Sequence, residues 1–131
     1  MTAGLLVIAH DKVGTSLVDT AIATVGSCPL KVKSLEVFKD SNADDTFNKA
    51  QELVKELDDG DGVLVLTDLY GSTPCNIATK LKAGKNLIII AGLNLPMLMR
   101  TFNYYSLNLA ELSDKALNGG KNGILICNQV P

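Results

Sequence analysis

Two polar segments of the sequence carry the residues best suited to chemistry, and each follows an apolar run. The first begins at His10, which is the chain's single histidine. The second begins at Asp68 and continues through Gly71, Ser72 and Thr73. A neutral imidazole is a nucleophile at one ring nitrogen when the other nitrogen keeps its proton. A carboxylate such as Asp68 would fix that tautomer by accepting a hydrogen bond from the protonated nitrogen, and it would stabilise the cation formed on attack.

Gly71, Ser72 and Thr73 come directly before a predicted helix and could bind an anion. Ser72 or Thr73 suits the N-cap of that helix, with Pro74 as its first residue. Backbone N–H groups at a helix start, together with two hydroxyl groups, attract phosphate. Ordinary helix capping is the alternative for these residues, and a satisfied polar side chain at a strand end is the alternative for His10 taken alone. In combination, the nucleophile, the orienting acid and the anion cradle predict a site for a transferable phosphoryl group.

The elements that carry these segments form a repeating pattern of strands and helices. Aliphatic runs predict strands that are covered on both faces, as is typical of parallel sheets. These predicted strands are Gly4–Ala9, Val32–Val37, Gly62–Leu66 and Asn86–Ala91. Helical patterns lie between them, the clearest at Ala43–Leu57. The sequence therefore predicts one α/β domain over residues 1–131, an open, mainly parallel sheet of four strands in the order 2-1-3-4 with helices on both faces.

The predicted strand order brings the two polar segments together. Strands one and three are neighbours in this order, at the point where the winding of the chain reverses. Ligands bind at such a point, outside the carboxyl ends of the strands. We therefore expect His10 and Asp68 to meet there, although they are far apart in the sequence.

The part of the chain after the fourth strand has weaker patterns. Two helices are predicted, one from Leu95 to about Tyr104 and one over Ser106–Leu117. The glycine-rich stretch Gly119–Gly123 predicts a hinge, and a short C-terminal strand is predicted at Ile124–Cys127.

Composition excludes several classes of function. The 131 residues are 47% hydrophobic and 20% charged, which is typical of a globular protein. With a net charge of −2 and one arginine, the chain lacks the basic face of a nucleic-acid-binding protein. Its apolar runs fall far short of the roughly 20 residues that a membrane-spanning helix needs. Three scattered cysteines and the lack of a secretion signal predict reduced thiols in the cytoplasm. Neither a metal site nor a nucleotide motif is recognisable, so no cofactor is expected.

Three segments resemble the enzyme IIA component of the mannose family of the bacterial phosphoenolpyruvate-dependent sugar phosphotransferase system. The apolar strand ending in His10 resembles that family's opening strand, which ends in its phosphorylated histidine. Asp68–Asn76 is similar to the family signature Asp-Leu-x-Gly-Gly-Ser/Thr-Pro-x-Asn, and Gly92–Leu98 matches Gly-x-Asn-Leu-Pro-Met-Leu. The likeness covers essentially the whole chain.

The resemblance implies a phosphotransferase that acts without a cofactor. His10 would accept phosphate on Nε2 from the histidine-containing phosphocarrier protein, with Asp68 on Nδ1. It would then pass the phosphate to a IIB component on a separate chain for sugar uptake. The resemblance also implies a homodimer that exchanges its C-terminal strand, for which Ile124–Cys127 behind the glycine hinge is the candidate.

Three positions depart from the family pattern. Ser72 stands where a second glycine is usual, Cys75 replaces a common aromatic residue, and Asp11 follows His10 where glycine is frequent. The charge of Asp11 could disfavour phosphorylated His10 or influence the choice of partner. A regulatory phospho-switch that acts on a non-transport partner would use the same site, so the sequence leaves that function open. A flavin or nucleotide carrier on a similar sheet is the more distant alternative.

Overall fold

Strands and helices alternate along most of the chain. The computed structural model describes residues 2–81 and 86–129. In chain order the elements are β1 (Gly4–His10), α1 (Val13–Val25), β2 (Val32–Val37), α2 (Ala43–Leu57), β3 (Val63–Thr67), α3 (Thr73–Leu81), β4 (Leu87–Ala91), α4 (Leu95–Asn103), α5 (Leu109–Asn122) and a 3-10 turn at Cys127–Gln129.

The sheet has the predicted architecture. Within the described residues its strand order is β2-β1-β3-β4, and every neighbouring pair is parallel. In the register of β1, His10 lies beside Val37 of β2, and Ile8 lies beside Thr67 of β3. The strands therefore end along one edge of the sheet, and the loops that follow them are neighbours.

Helices cover both faces of the sheet, as predicted. Side chains alternate between the two faces of a strand. From β1, Leu5 and Val7 pack in the core formed with α1, α4 and α5. Leu6 and Ile8 pack in the core formed with α2 and α3. Because both faces of β1 are buried, its sequence is an almost continuous apolar run.

The predicted hinge at Gly119–Gly123 is wrong, because α5 continues through most of it. Gly119 and Gly120 are buried against α4, and a Cβ atom at Gly119 would lie only 2.5 Å from Cβ of Arg100. The side chain of Asn94, which caps α4, also donates a hydrogen bond to the Gly120 carbonyl at 3.1 Å. Contact between two helices thus outweighs the poor intrinsic helix propensity of glycine.

The predicted strand at Ile124–Cys127 is not formed in this single chain. The backbone of residues 124–126 is irregular, and a 3-10 turn follows. A strand needs a partner for its backbone N–H and C=O groups, and among the described residues this segment has none. Its side chains lie in solvent, with Ile124, Leu125 and Ile126 exposed by 76, 64 and 63%. The exchange of this strand in a dimer stays a prediction.

The three cysteines carry free thiols. Cys75 is buried, whereas Cys28 and Cys127 are exposed. The cytoplasmic location that their pattern indicates stays a prediction. None of the helices in the described ranges has the length and apolar character required to span a membrane.

Candidate functional site

His10 and Asp68 meet at the carboxyl edge of the sheet. His10 is the last residue of β1, and Asp68 directly follows β3, the neighbouring strand. Nδ1 of His10 lies 2.8 Å from Oδ2 of Asp68. The backbone N–H of His10 donates to the same oxygen at 3.1 Å. The structure thus brings together two residues that are 58 positions apart in the chain.

The contact with Asp68 determines which nitrogen of His10 is available. An ionised carboxylate can only accept hydrogen bonds, so the neutral imidazole paired with it carries its proton on Nδ1. The lone pair is then on Nε2. The side chain of His10 is 44% exposed and that of Asp68 only 14%. The partly buried Asp68 therefore orients the ring, and the ring is accessible to a reactant.

The other carboxylate oxygen of Asp68 is a second unusual feature. Oδ1 is buried and has no hydrogen-bond partner among the described residues. The hydroxyl of Thr67, one residue earlier, is also buried without a partner in that part of the chain. Buried polar atoms in folded proteins nearly always have a hydrogen-bond partner, either in the protein or in an ordered water molecule.

The loop between Asp68 and α3 is shaped by its own hydrogen bonds. Gly71 has a φ of +79°, a backbone conformation that favours glycine. The hydroxyl of Ser72 donates to the Leu69 carbonyl at 2.6 Å. This bond ties Ser72 into the loop, and the predicted part of Ser72 in phosphate binding stays a prediction.

The start of α3 is one residue earlier than predicted. Thr73 is the first helical residue, so Pro74 is the second. The first helical hydrogen bond runs from the Asn76 N–H to the Ser72 carbonyl at 2.9 Å. The N–H groups of Thr73 and Cys75 precede that bond in the first turn, where a helix leaves its donors without helical partners. They are the donors that α3 can offer to an anion.

A cavity of about 510 Å³ connects His10 with α3 and the loop after β2. Its lining residues are His10, Asp11, Val37, Phe38, Lys39, Ser41, Ala43 and Thr73. Of the three residues predicted to bind phosphate, Thr73 lines this cavity, whereas Gly71 and Ser72 are not part of its wall.

The residues from the loop after β2 were missed by the sequence reasoning. Phe38, Lys39 and Ser41 follow the carboxyl end of β2, and Val37 lies beside His10 in the sheet register. The same topological rule that united His10 and Asp68 applies to this loop. The predicted strand order therefore already implied that the loop after β2 lies near His10. No residue type in that loop suggested a part in the site.

Four exposed apolar side chains follow the strands at the edge of the sheet that carries the site. Val13 and Phe38 are about half exposed, and Leu69 and Tyr70 are more exposed still. They lie on three segments that leave the same edge of the sheet. We call Val13, Phe38, Leu69 and Tyr70 the apolar collar. Exposed apolar side chains mark sites of contact with other proteins where they group together.

The site has no ready-made metal centre. Across residues 2–81 and 86–129, no group of three or more His, Cys, Asp or Glu side chains is placed to hold a metal ion. The site is built from one imidazole, one carboxylate and backbone N–H groups, and it offers a nucleophile beside donors for an anion.

Comparison with protein families matches residues 4–117 to the EIIA-man family, described as the PTS system fructose IIA component. The PTS system mannose-specific EIIAB component of Escherichia coli is 30% identical over 102 residues, which are 77% of this chain. The transcriptional regulatory protein LevR of Bacillus subtilis is 27% identical over 110 residues, or 81% of this chain. The chain spans only 31% and 12% of the lengths of these two relatives.

A solved structure has the same fold over the whole chain. The mannose/sorbose specific IIA subunit of the phosphotransferase system from Enterococcus faecalis superposes with a TM-score of 0.87 at 25% identity. The match covers 100% of this chain and 98% of that one.

Proposed function

The chain belongs to the EIIA-man family of phosphotransferase system IIA components, and from that premise we propose that it carries a phosphoryl group on His10. It accepts the group from the phosphohistidine of the histidine-containing phosphocarrier protein and passes it to a IIB component on a separate chain, as a step in sugar uptake. The observation that carries the proposal is the 2.8 Å contact between Nδ1 of His10 and Oδ2 of Asp68, because it leaves Nε2 as the nucleophile.

The proposed transfer needs no proton to move. The lone pair of Nε2 attacks the phosphorus of the incoming phosphohistidine, so that an N–P bond forms on His10 while the N–P bond of the donor breaks. The electron pair of the broken bond stays on the donor imidazole, which becomes neutral. The ring of His10 becomes cationic, and Asp68 stabilises that cation through its hydrogen bond to Nδ1. A hydrogen bond to a charged group contributes about 1.5–3 kcal/mol.

Backbone donors at the start of α3 support the proposed phosphoryl group. Thr73 lines the cavity beside His10 and brings the positive end of α3 to it. We assign Gly71 and Ser72 an indirect part. The left-handed φ of Gly71 and the bond from Ser72 to Leu69 shape the loop that presents Thr73.

The apolar collar suits a protein donor and a protein acceptor. Transfer between two histidines requires two proteins to bring their imidazoles into contact and then to separate. Val13, Phe38, Leu69 and Tyr70 provide exposed apolar area at the edge of the sheet where His10 lies. A modest contact of this kind is typical of transient complexes.

Phosphorylation of the tag-free protein tests the proposal. The chain has one histidine, whereas a histidine tag would add other acceptors. With phosphoenolpyruvate, enzyme I and the phosphocarrier protein, the wild type should gain one acid-labile phosphoryl group by intact-mass spectrometry. His10→Gln should gain none while keeping the melting temperature of the wild type. Labelling of His10→Gln to the wild-type level would refute the site.

We also propose that the protein is a homodimer in which Ile124–Cys127 of one copy pairs with β4 of the other. In the described residues β4 is an edge strand, so its outer N–H and C=O groups have no strand partner. Beside it lies a cavity of about 470 Å³ lined partly by Ile88, Ile90 and Leu117. The exposed side chains of Ile124–Ile126 match that apolar surface.

Light scattering coupled to gel filtration tests the dimer. The wild type should have the mass of two chains, and the double variant L125D/I126D should have the mass of one. Val25→Asp is the control, because Val25 is an exposed apolar residue at the end of α1, outside this surface. A monomeric wild type, or a double variant that stays dimeric, would contradict the proposed exchange.

A regulatory role is the second candidate function. The similarity to the transcriptional regulatory protein LevR, over 81% of this chain, favours it. The phosphoryl chemistry of His10 would be the same, but the phosphorylated state would control a partner instead of supplying a transporter. Neighbouring genes separate the two functions: genes for IIB, IIC and IID components beside this one favour transport, and their absence favours regulation.

A further inference from the structure

The residue directly after His10 has an unusual backbone. Asp11 has a φ of +45° and is the one non-glycine residue with positive φ in the described part of the chain. This left-handed conformation is unfavourable for any side chain, although aspartate and asparagine tolerate it better than most. The backbone N–H of Asp11 donates to the Val37 carbonyl at 2.9 Å, so the conformation is held by a bond to β2.

The backbone conformation alone does not explain an aspartate at this position. Glycine would make the same turn without strain. Strained residues that persist in folded proteins cluster at functional sites, which directs attention to the side chain. Asp11 is exposed and lines the same cavity as His10.

A lysine lines that cavity as well. Lys39, from the loop after β2, is exposed and forms part of the wall. Within residues 2–81 and 86–129, neither Asp11 nor Lys39 belongs to an ion pair. Both charges are therefore available to act on a group bound to Nε2 of His10.

We propose that Asp11 raises the phosphoryl-transfer potential of phosphorylated His10, and that Lys39 opposes it. The inference rests on the proposed function of His10. A phosphoryl group on Nε2 adds close to two negative charges in the cavity that Asp11 also lines, so like-charge repulsion disfavours the phosphorylated state. The repulsion shifts the equilibrium with the phosphocarrier protein towards the carrier, and it favours onward transfer to the next acceptor. Attraction by Lys39 acts in the opposite direction.

The equilibrium with the phosphocarrier protein measures this effect. Phosphorylated carrier and the tag-free protein are mixed at equal concentration, and the phosphorylated fraction of each is read by intact-mass spectrometry at alkaline pH. Asp11→Asn should move the equilibrium constant about three- to tenfold towards this protein, with less effect at high salt. Lys39→Met should move it in the opposite direction by a similar factor.

Two further variants show whether the shift in equilibrium comes from the charge at Asp11 or from another change. Asp19→Asn removes the same charge from an exposed position on α1 that does not line the cavity, and it should leave the constant unchanged. Asp11→Gly removes the charge together with the backbone strain and should match Asp11→Asn. Agreement of these two variants excludes an effect that comes from altered backbone.

The results of these experiments test the role of Asp11 separately from the proposed phosphorylation of His10. If the wild type accepts phosphate on His10 but Asp11→Asn and Asp11→Gly leave the equilibrium where it was, the role of Asp11 is refuted and the function stands. A shift in Asp19→Asn as large as that in Asp11→Asn would refute it equally. If the wild type accepts no phosphate from the carrier, the proposed function fails and the inference fails with it.

Discussion

The carboxyl edge of the sheet and the α4–α5 contact both depend on glycine, but for different physical reasons. At the carboxyl edge, Gly71 has a φ of +79° and open space where a Cβ atom would stand. In the α4–α5 contact, Gly119 and Gly123 have negative φ values. A Cβ atom there would lie 2.5 Å from Arg100 and 2.3 Å from Pro96.

The difference shows that glycine has two separate structural roles in this protein. Gly71 supplies a backbone conformation that positions a loop beside His10. Gly119 and Gly123 supply space, so that two helices can approach closely. Substitutions at these positions should therefore act on different properties, with stability lost at the helix contact and phosphoryl transfer lost at the sheet edge.

Gly119→Val should give the largest effect. The new side chain would overlap Cβ of Arg100, which is fixed to the backbone of α4 and cannot move aside. Overpacking of a core contact costs about 1–3 kcal/mol, and we expect a loss near the upper end of that range. Urea unfolding measures the loss. Gly120→Ala is the milder comparison, since its nearest neighbour is the flexible end of Met97.

The folded fraction of Gly119→Val should still accept phosphate at the wild-type rate. An unchanged free energy of unfolding in this variant would mean that the contact between α4 and α5 can accommodate a larger side chain, contrary to this account. A slower transfer by fully folded protein would mean that the two regions are not separate.

Asp68→Asn should have the second largest effect, and it should act on the rate. The amide keeps the shape of the side chain but loses the charge that stabilises the imidazolium of His10. A loss of roughly 1.4–2.7 kcal/mol slows phosphorylation by about ten- to a hundredfold. Rapid-quench measurement of phosphoryl transfer from the carrier gives the rate. Asp61→Asn, just before the amino end of β3, should transfer at the wild-type rate.

Gly71→Ala should have the smallest effect of the three. Its left-handed backbone costs a non-glycine residue about 1–2 kcal/mol, with no added overlap. Gly26→Ala is a matched control, because Gly26 has a φ of +94° and equally open surroundings at the end of α1. Both variants should lose similar stability by thermal unfolding, whereas only Gly71→Ala should also slow phosphorylation. Equal transfer rates in the two variants would show that Gly71 has no part in phosphoryl transfer.

The sheet and the His10–Asp68 pair could be predicted because both follow from long-range rules. Apolar runs located the strands, and the parallel topology fixed which loops meet. The same rules do not reveal how closely two helices approach. The glycines of α5 therefore predicted a hinge, although the side chains of α4 pack against them. The strand at Ile124–Cys127 depends on a partner outside the chain, and local sequence does not supply one.

The finer features of the site depend on contacts that a local pattern does not encode. The hydrogen bond from the Ser72 hydroxyl to the Leu69 carbonyl closes the loop before α3, and the residue types alone do not reveal it. Lys39 reaches the site through the cavity that it shares with His10. The positive φ of Asp11 arises where its N–H meets β2. Each of these depends on the packing of one loop against another.

Nitrogen-15 NMR of the phosphorylated protein tests the central claim most directly. The chain has one histidine, so tag-free protein labelled at that residue gives a single imidazole spectrum. We predict a phosphorus coupling at Nε2 and a proton on Nδ1, where Asp68 accepts its hydrogen bond. A phosphoryl group on Nδ1 would contradict the assignment, because that nitrogen is the one paired with Asp68.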